Sequence, residues 1–365
     1  MDRPLTLSLV AAALAGAGAL ALAHGPAFAQ GRSLQTPPVP ITLRESFDVP
    51  AADAQTEAIV AAAEAFLGTL TPEQRAAAVF PFEDNAQRSN WSNFPDGAVA
   101  RQGVMRGDMT EAQRAALDAL LATALSEEGM LNLRYQLAAE ETLDEGPGGR
   151  ARFGEEYYYV SFLGEPATDA PWMLQFGGHH LAINATVHGP DVSFSPMLTG
   201  GEPLRITYGG QPVYITADET AAAQAFMDGL DAAQRAQAIR AEEPINLLLG
   251  PGAFGTMLAP EGIRGADLTE AQRALLLTVI AARLGFANAD DFAAKMEVVR
   301  AGLDDTWFGW WGPTGTLGAA YFRVTGPSLV LEYAPQDMDG DPTDHAHNMY
   351  RDPANDYGVA WIGAE

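Results

Sequence analysis

The amino-acid sequence predicts an α+β fold in which a helical segment followed by antiparallel strands occurs twice. Ala-rich segments carry helix-capping signals, whereas short aromatic-rich segments are separated by Gly, Pro and Asp, as is typical of antiparallel hairpins. Both kinds of segment recur in the same order in the two halves of the chain. Helices and strands that are grouped in this way favour an α+β architecture over an alternating β-α-β fold.

The first 29 residues are typical of a cleavable secretory signal. Arg3 precedes an apolar run from Leu5 to Ala23, and Ala27-Phe28-Ala29 forms a small-x-small cleavage site. A membrane anchor is the alternative, but such an anchor usually has about 20 apolar residues and no cleavage site. We therefore expect an exported protein, periplasmic or secreted, that starts near Gln30 and keeps no stable membrane anchor.

A Pro-rich arm, residues 30–50, precedes two predicted α+β repeats, residues 51–216 and 217–365, which we expect to form one compact unit. The segment LTPEQRAAAV in the first half matches LDAAQRAQAI in the second, and RGDMTEAQRA matches GADLTEAQRA. Each half then continues into an aromatic segment, YYYVSFLGEP or AAYFRVTGP. Ordered recurrence of this kind indicates an internal duplication.

Helix starts are marked by a capping residue three positions before a Gln, which is the capping-box pattern. The four pairs are Thr71 with Gln74, Thr110 with Gln113, Asp231 with Gln234, and Thr269 with Gln272. The predicted strands of the first half are EEYYYVSFLG, PWMLQF, HLAINATVHG, DVSFSPML, LRITYG and QPVYIT, and those of the second are AAYFRVTG, SLVLEY and HAHNMYR.

Composition excludes several classes of function. The formal charge of −26, from 47 acidic and 21 basic residues, argues against binding to nucleic acid. The chain contains no cysteine, which rules out thiol catalysis, thiolate metal sites and iron-sulfur clusters. A metal ion would therefore be held by histidine, carboxylate or amide groups.

Four of the five histidines that follow the signal form two pairs, His179-His180 and His345-x-His347. Each pair comes after a predicted strand, PWMLQF or SLVLEY, and the duplication predicts that these two strands are equivalent. Side chains alternate along a strand, so His345 and His347 share a face while His179 and His180 do not. The glycines at 177 and 178 would allow a tight turn, which would aim one adjacent histidine at the other pair and leave the second as its support.

Three neutral imidazoles are a sufficient ligand set for zinc and are common for copper. We expect a divalent metal ion, with zinc favoured and copper as the alternative. Glu332, which aligns with Gln175 across the two strands, is the candidate catalytic base or fourth ligand. Arg351 is the candidate clamp for an anionic group, with pairing to Asp352 or Asp356 as the equally supported alternative.

These residues support three hypotheses about function. The first is an exported metal-dependent enzyme that hydrolyses a small substrate through metal-activated water. The second is a copper-dependent oxidoreductase that uses the same histidines, and the third is a non-catalytic periplasmic protein that binds a metal or another ligand. Ordinary hydrogen-bonding roles for the histidines remain the structural alternative. The sequence determines neither the substrate, the metal nor the oligomeric state.

The segments PWMLQFGGHHLAIN, SPMLTGGEP and HAHNMYRDPANDYG resemble the signatures of the domain of unknown function 3500 family of bacteria and fungi. The resemblance covers nearly all of the mature chain and implies no established activity. It does imply that the signature positions here are His179, His180, His345, His347, Arg351, Asn355, Asp356 and Tyr357. Gly177 departs from the family pattern, which usually has Asp there, and an altered site is expected if that Asp orients a histidine or binds a metal.

Overall fold

Reciprocal side-chain caps mark the starts of four helices, as the sequence predicts. The computed structural model describes residues 36–143, 151–337 and 340–364, so the predicted signal peptide, residues 1–29, lies outside the described residues. Thr71 Oγ1 accepts from the Gln74 N–H, and the Gln74 side chain accepts from the Thr71 N–H. The same reciprocal bonds occur at Thr110, Asp231 and Thr269.

The helices among the described residues are α1 (Ala54–Thr69), α2 (Pro72–Ala78), α3 (Asn85–Arg88), α4 (Glu111–Ala124), α5 (Glu127–Glu140), α6 (Ala217–Asp228), α7 (Ala232–Ala238), α8 (Glu270–Leu284), α9 (Ala289–Ala301) and α10 (Val359–Ile362). The strands are β1 (Val79–Phe80), β2 (Val104–Met105), β3 (Tyr159–Leu163), β4 (Trp172–Gly178), β5 (Leu181–His188), β6 (Asp191–Ser193), β7 (Met197–Gly201), β8 (Arg205–Tyr208), β9 (Gln211–Tyr214), β10 (Ile239–Ala241), β11 (Ile263–Arg264), β12 (Trp307–Trp311), β13 (Tyr321–Gly326), β14 (Leu329–Pro335) and β15 (Ala346–Arg351).

One large, mostly antiparallel sheet organises these elements, and the predicted α+β class is confirmed. Its strand order is β1-β3-β4-β5-β7-β15-β14-β13-β12-β10, with β2, β6 and β11 pairing beside this path. Only the outer pairs β1 with β3 and β10 with β12 are parallel within the described sheet. Strands β8 and β9 form a separate hairpin.

The two halves of the sheet mirror each other about the central pair β7 and β15. Outward from β7 the order is β5, β4, β3 and β1, and outward from β15 it is β14, β13, β12 and β10. In this arrangement β5 takes the position of β14, and β4 takes the position of β13. PWMLQF lies in β4, whereas SLVLEY lies in β14, so the predicted equivalence of these two strands is wrong. The predicted alignment of Glu332 with Gln175 is wrong for the same reason.

Both faces of the sheet are covered, because alternate side chains along the central strands enter two different apolar clusters. Ile183, Met197 and Tyr350 pack with the helices, while their neighbours Ala182 and Leu198 enter a second cluster. That second cluster also contains Val39, Ile41, Trp91, Leu249, Met349 and Tyr357. The end of the Pro-rich arm therefore packs on the sheet face opposite the helices.

No helix in the described ranges is both long enough and apolar enough to cross a lipid bilayer.

Candidate metal centre

Three imidazoles from distant parts of the chain meet at one end of the central strands. His180 Nε2 lies 3.0 Å from His345 Nε2. The ring centroid of His347 lies 5.1 Å from that of His180 and 5.2 Å from that of His345. The structure thus brings both predicted histidine pairs to a single cluster.

Strand pairing explains this convergence. His347, in β15, pairs with Gly200 at the end of β7, and Leu198 of β7 pairs with Ala182 at the start of β5. The turn that precedes β5 carries the other two histidines. Because β7 is the shared neighbour, the β4–β5 turn and the first residues of β15 lie side by side in one sheet.

The β4–β5 turn differs from the one that the sequence predicts. His180, and neither Gly177 nor Gly178, has the left-handed backbone, with φ of 55°. The two glycines belong to β4 instead. Strand alternation therefore does not apply to His179 and His180, whose ring centroids lie 3.6 Å apart. The prediction that the two rings point to opposite sides is wrong.

Glu140, the last residue of α5, adds a carboxylate to the cluster. Its Oε1 lies 2.7 Å from His179 Nδ1 and 3.7 Å from His180 Nδ1. Burial alone would raise the pKa of Glu140, but the proximity of His179 and His180 lowers it to about 2. The carboxylate is therefore ionised at neutral pH, although its side chain is only 2% exposed.

The imidazoles themselves are held in the neutral form. Burial, followed by the influence of His179, lowers the pKa of His180 to about 4. Burial, followed by the influence of His180, lowers the pKa of His345 to about 3, and burial also lowers the pKa of His347. A neutral imidazole has a free lone pair, which is the form that binds metal ions.

Several nitrogens in the cluster lack the hydrogen bonds that buried polar atoms normally make. Nδ1 of His179, His180 and His345 is buried without a well-formed hydrogen bond to the described part of the chain. Glu140 is close enough to His179 for such a bond, but not at a suitable angle. A cation bound among these nitrogens would remove the cost of leaving them unpaired.

Within the described ranges, two overlapping groups of side chains could hold a metal ion. In each group the ligand atoms lie within 4.8 Å of one another. The first group is His180, His345 and His347, and the second is Glu140, His179 and His180. The chemistry and separation of these donors fit a divalent ion, and His180 belongs to both groups.

Glu332 and Arg351 belong to neither group. Both oxygens of Glu332 accept backbone N–H bonds, at 2.9 Å from Leu248 and 2.8 Å from Leu249. The hydroxyl of Tyr321 also donates to Glu332, at 2.7 Å. These contacts join β14 to the segment around Leu248 and Leu249, and Leu249 packs in the second apolar cluster on the sheet.

Arg351 has an equally complete set of partners. It donates to the carbonyl oxygens of Leu249 and Gly250, at 2.9 and 3.0 Å, and pairs with Asp356. The ion pair with Asp356 is one of the two alternatives that the sequence left open for Arg351.

Sequence reasoning missed Glu140, although a signal for it exists. Met130, Leu133 and Leu137 form a buried stripe along α5, and Glu140 continues the stripe three residues later. A carboxylate at the next position of an apolar helix face indicates a buried charge that needs a partner.

Gly177 stands at a position where the backbone leaves no room for a side chain. A Cβ atom there would collide with the carbonyl oxygen of Leu181 in the paired strand β5. An Asp at this position would therefore require a shift of the β4–β5 hairpin.

Fold and site together define an α+β protein with a buried cluster of side chains that could hold a metal ion. Residues 52–359 match the model of a family described as protein of unknown function (DUF3500). The chain belongs to this family. Comparisons with curated proteins and with solved structures found no match.

Proposed function

We propose that the protein binds a divalent metal ion, preferably zinc, through His180, His345 and His347, and that it hydrolyses a small substrate there. The observation that carries the proposal is the convergence of three buried imidazoles, two of them with Nε2 atoms 3.0 Å apart. Catalytic zinc sites typically have three protein ligands and one open position, whereas structural sites have four.

Zinc held by these residues would supply a Lewis acid and lower the pKa of a water molecule towards about 7. The chain prepares the site in two ways. The low pKa values of His180 and His345 keep their lone pairs free at neutral pH. The ionised Glu140 offsets positive charge inside the protein and lies against His179 and His180.

We assign Glu332 and Arg351 to the support of the fold and not to the reaction. Glu332 is engaged by two backbone N–H groups and a tyrosine hydroxyl, and Arg351 by two carbonyls and Asp356. Glu140 is the carboxylate nearest to the imidazoles, which favours it over Glu332 as a proton acceptor.

A second candidate function is metal binding without catalysis. Burial favours it, because none of the four histidines of the cluster is more than 8% exposed. A substrate would reach the ion only after a local opening of the structure around the four histidines. The copper-dependent oxidoreductase has the same ligands, and the identity of the metal separates it from the zinc proposal.

We further propose that the chain is exported and arose by internal duplication. The Ala27-Phe28-Ala29 cleavage pattern supports export. The mirrored strand order supports duplication. Two matching hydrogen bonds between the side-chain amides of capping glutamines also support it. Gln113 donates to Gln74 at 2.7 Å, and Gln272 donates to Gln234 at 2.6 Å.

The proposal is tested by purifying the full chain without added metal and measuring its metal content by mass spectrometry. Small esters, amides and phosphoesters are then assayed before and after treatment with a chelator. We expect bound zinc and chelator-sensitive hydrolysis in the wild type, and in His347→Gln a loss of the hydrolysis together with a lower zinc content. The matched control is His188→Gln, because His188 stacks on Trp361 away from the cluster.

Each other outcome has a definite meaning. Bound metal without turnover supports the binding protein, and bound copper supports the oxidoreductase. A wild type that takes up no metal, even when zinc is supplied, would contradict all three.

A further inference from the structure

We infer that His180 bridges two metal ions. Its Nε2 would bind the first ion together with His345 and His347, and its Nδ1 would bind the second together with His179 and Glu140. This inference rests on the proposed metal centre and extends it from one ion to two. The two groups of candidate ligands have a single residue in common, His180, and use opposite sides of its ring.

The surroundings of the His180 ring carry the argument. Its Nε2 lies 3.0 Å from His345 Nε2, a separation at which both nitrogens can bind one ion. If Nδ1 then kept its proton, it would need an acceptor. The carboxylate that faces it, Glu140, is 3.7 Å away, which is too far for a hydrogen bond.

A second cation removes this problem. The second cation takes the place of the Nδ1 proton, which is released to water. The ring is then an imidazolate with a lone pair on each nitrogen and can bind an ion at both. Nδ1 of His180 is buried without a hydrogen-bond partner among the described residues, which fits a ligand atom better than an N–H group. The single negative charge of the deprotonated His180 ring would also offset part of the charge of two divalent ions.

Glu140 and His179 complete the second group. A histidine that binds a metal commonly donates its other N–H to a carboxylate, which would be the ordinary role for Glu140. Here the carboxylate is too far from His180 for that role and is poorly angled towards His179. Its position 2.7 Å from His179 Nδ1 suits two ligands of one ion. One carboxylate oxygen and two imidazole nitrogens are suitable ligands for zinc or copper.

The first test is the stoichiometry of zinc bound to the metal-depleted full chain after dialysis. We expect two equivalents in the wild type, one in Glu140→Gln and one in His179→Gln. His347→Gln should lose the other ion. Glu141→Gln is the matched control, because the exposed Glu141 contacts the Glu155 N–H outside the cluster. Circular dichroism shows whether each variant is folded.

The stoichiometries distinguish failure of the inference from failure of the proposed function. One equivalent in both the wild type and Glu140→Gln would overturn the bridge and leave the first ion in place. No binding in the wild type, or no effect of His347→Gln, would overturn the metal centre itself.

The second test is independent of counting, because an acidic surface can also retain ions. A bridging imidazolate couples two copper(II) ions antiferromagnetically and reduces the intensity of their electron spin resonance signal. We expect the electron spin resonance signal of the copper-loaded wild type to be weaker than that of the same amount of uncoupled copper(II). Glu140→Gln should show full intensity for a single copper. Full intensity in the wild type would overturn the bridge.

Discussion

His180 and His345 direct their Nε2 atoms at each other across 3.0 Å, although 165 positions separate them in the chain. Neither ring is charged at neutral pH, because burial lowers the pKa of His180 to about 4 and that of His345 to about 3. A neutral imidazole keeps one N–H, so a proton on either Nε2 makes this contact a hydrogen bond between the two rings. A cation that takes the place of that proton would be bound by both nitrogens, and this relationship underlies the function proposed above.

Replacement of His347 should reduce the stabilisation that zinc gives to the fold. A ligand at 100 times its dissociation constant stabilises a protein by about 2.7 kcal/mol. We expect zinc to raise the thermal midpoint of the wild type and of His188→Gln by more than that of His347→Gln. Differential scanning calorimetry with and without zinc measures this, and an equal rise in His347→Gln would contradict it.

Replacement of Arg351 should destabilise the fold without loss of metal. Arg351→Met leaves the buried carboxylate of Asp356 without its cation, and breaking such a pair costs about 3–5 kcal/mol. Urea unfolding and metal analysis of the same preparations check this. If Arg351 were instead an anion clamp for a substrate, Arg351→Met would keep its stability and lose only activity.

Tyr357, which has a left-handed φ of 57°, packs with Trp91 in the second apolar cluster. Trp91 Nε1 donates to its hydroxyl at 2.7 Å, and both side chains are buried. Tyr357→Phe leaves the indole N–H unpaired, so we expect a loss of about 1–3 kcal/mol in the free energy of unfolding. Tyr208→Phe, at an exposed strand position, should change it far less. Equal effects of the two changes would refute this account.

Glu219 should make stability depend on pH. Burial raises its pKa from 4.5 to about 7, although Asn348 donates to its carboxylate at 2.8 Å and Arg283 lowers the pKa. The folded state therefore binds more protons than the unfolded state between these values, and stability falls as pH rises through this window. A shift of this size corresponds to at most roughly 3 kcal/mol.

Glu219→Gln is neutral at every pH and should remove that loss. We expect the variant to gain stability over the wild type at pH 8 and to gain little at pH 4.5. Urea unfolding of both metal-depleted proteins at the two pH values measures the difference. The same difference at both values would show that Glu219 is not protonated in the folded state.

Local features of the fold could be predicted from the sequence. The capping boxes depend on residues three positions apart, such as Thr71 and Gln74, so they are confirmed with their bonds. The duplication predicts that the two histidine pairs converge, and they do. That prediction treats PWMLQF and SLVLEY as equivalent strands, which is wrong. PWMLQF and SLVLEY are similar apolar segments, and sequence similarity alone does not determine sheet order.

The details of the site depend on contacts that sequence periodicity does not reveal. His180 adopts a left-handed backbone, so its ring stacks on His179 where strand alternation predicts opposite directions. Glu140 reaches the cluster because α5 ends beside the β4–β5 turn, which is a tertiary relationship. Glu332 and Arg351 are near the histidines in sequence, but their contacts lie elsewhere.

Anomalous diffraction at the zinc absorption edge, from crystals of the zinc-loaded full chain, tests the central claim most directly. The account predicts a strong peak among His180, His345 and His347, about 2.0–2.1 Å from the coordinating nitrogens. Zinc peaks confined to surface carboxylates, with the three imidazoles hydrogen-bonded to one another or to water, would contradict it.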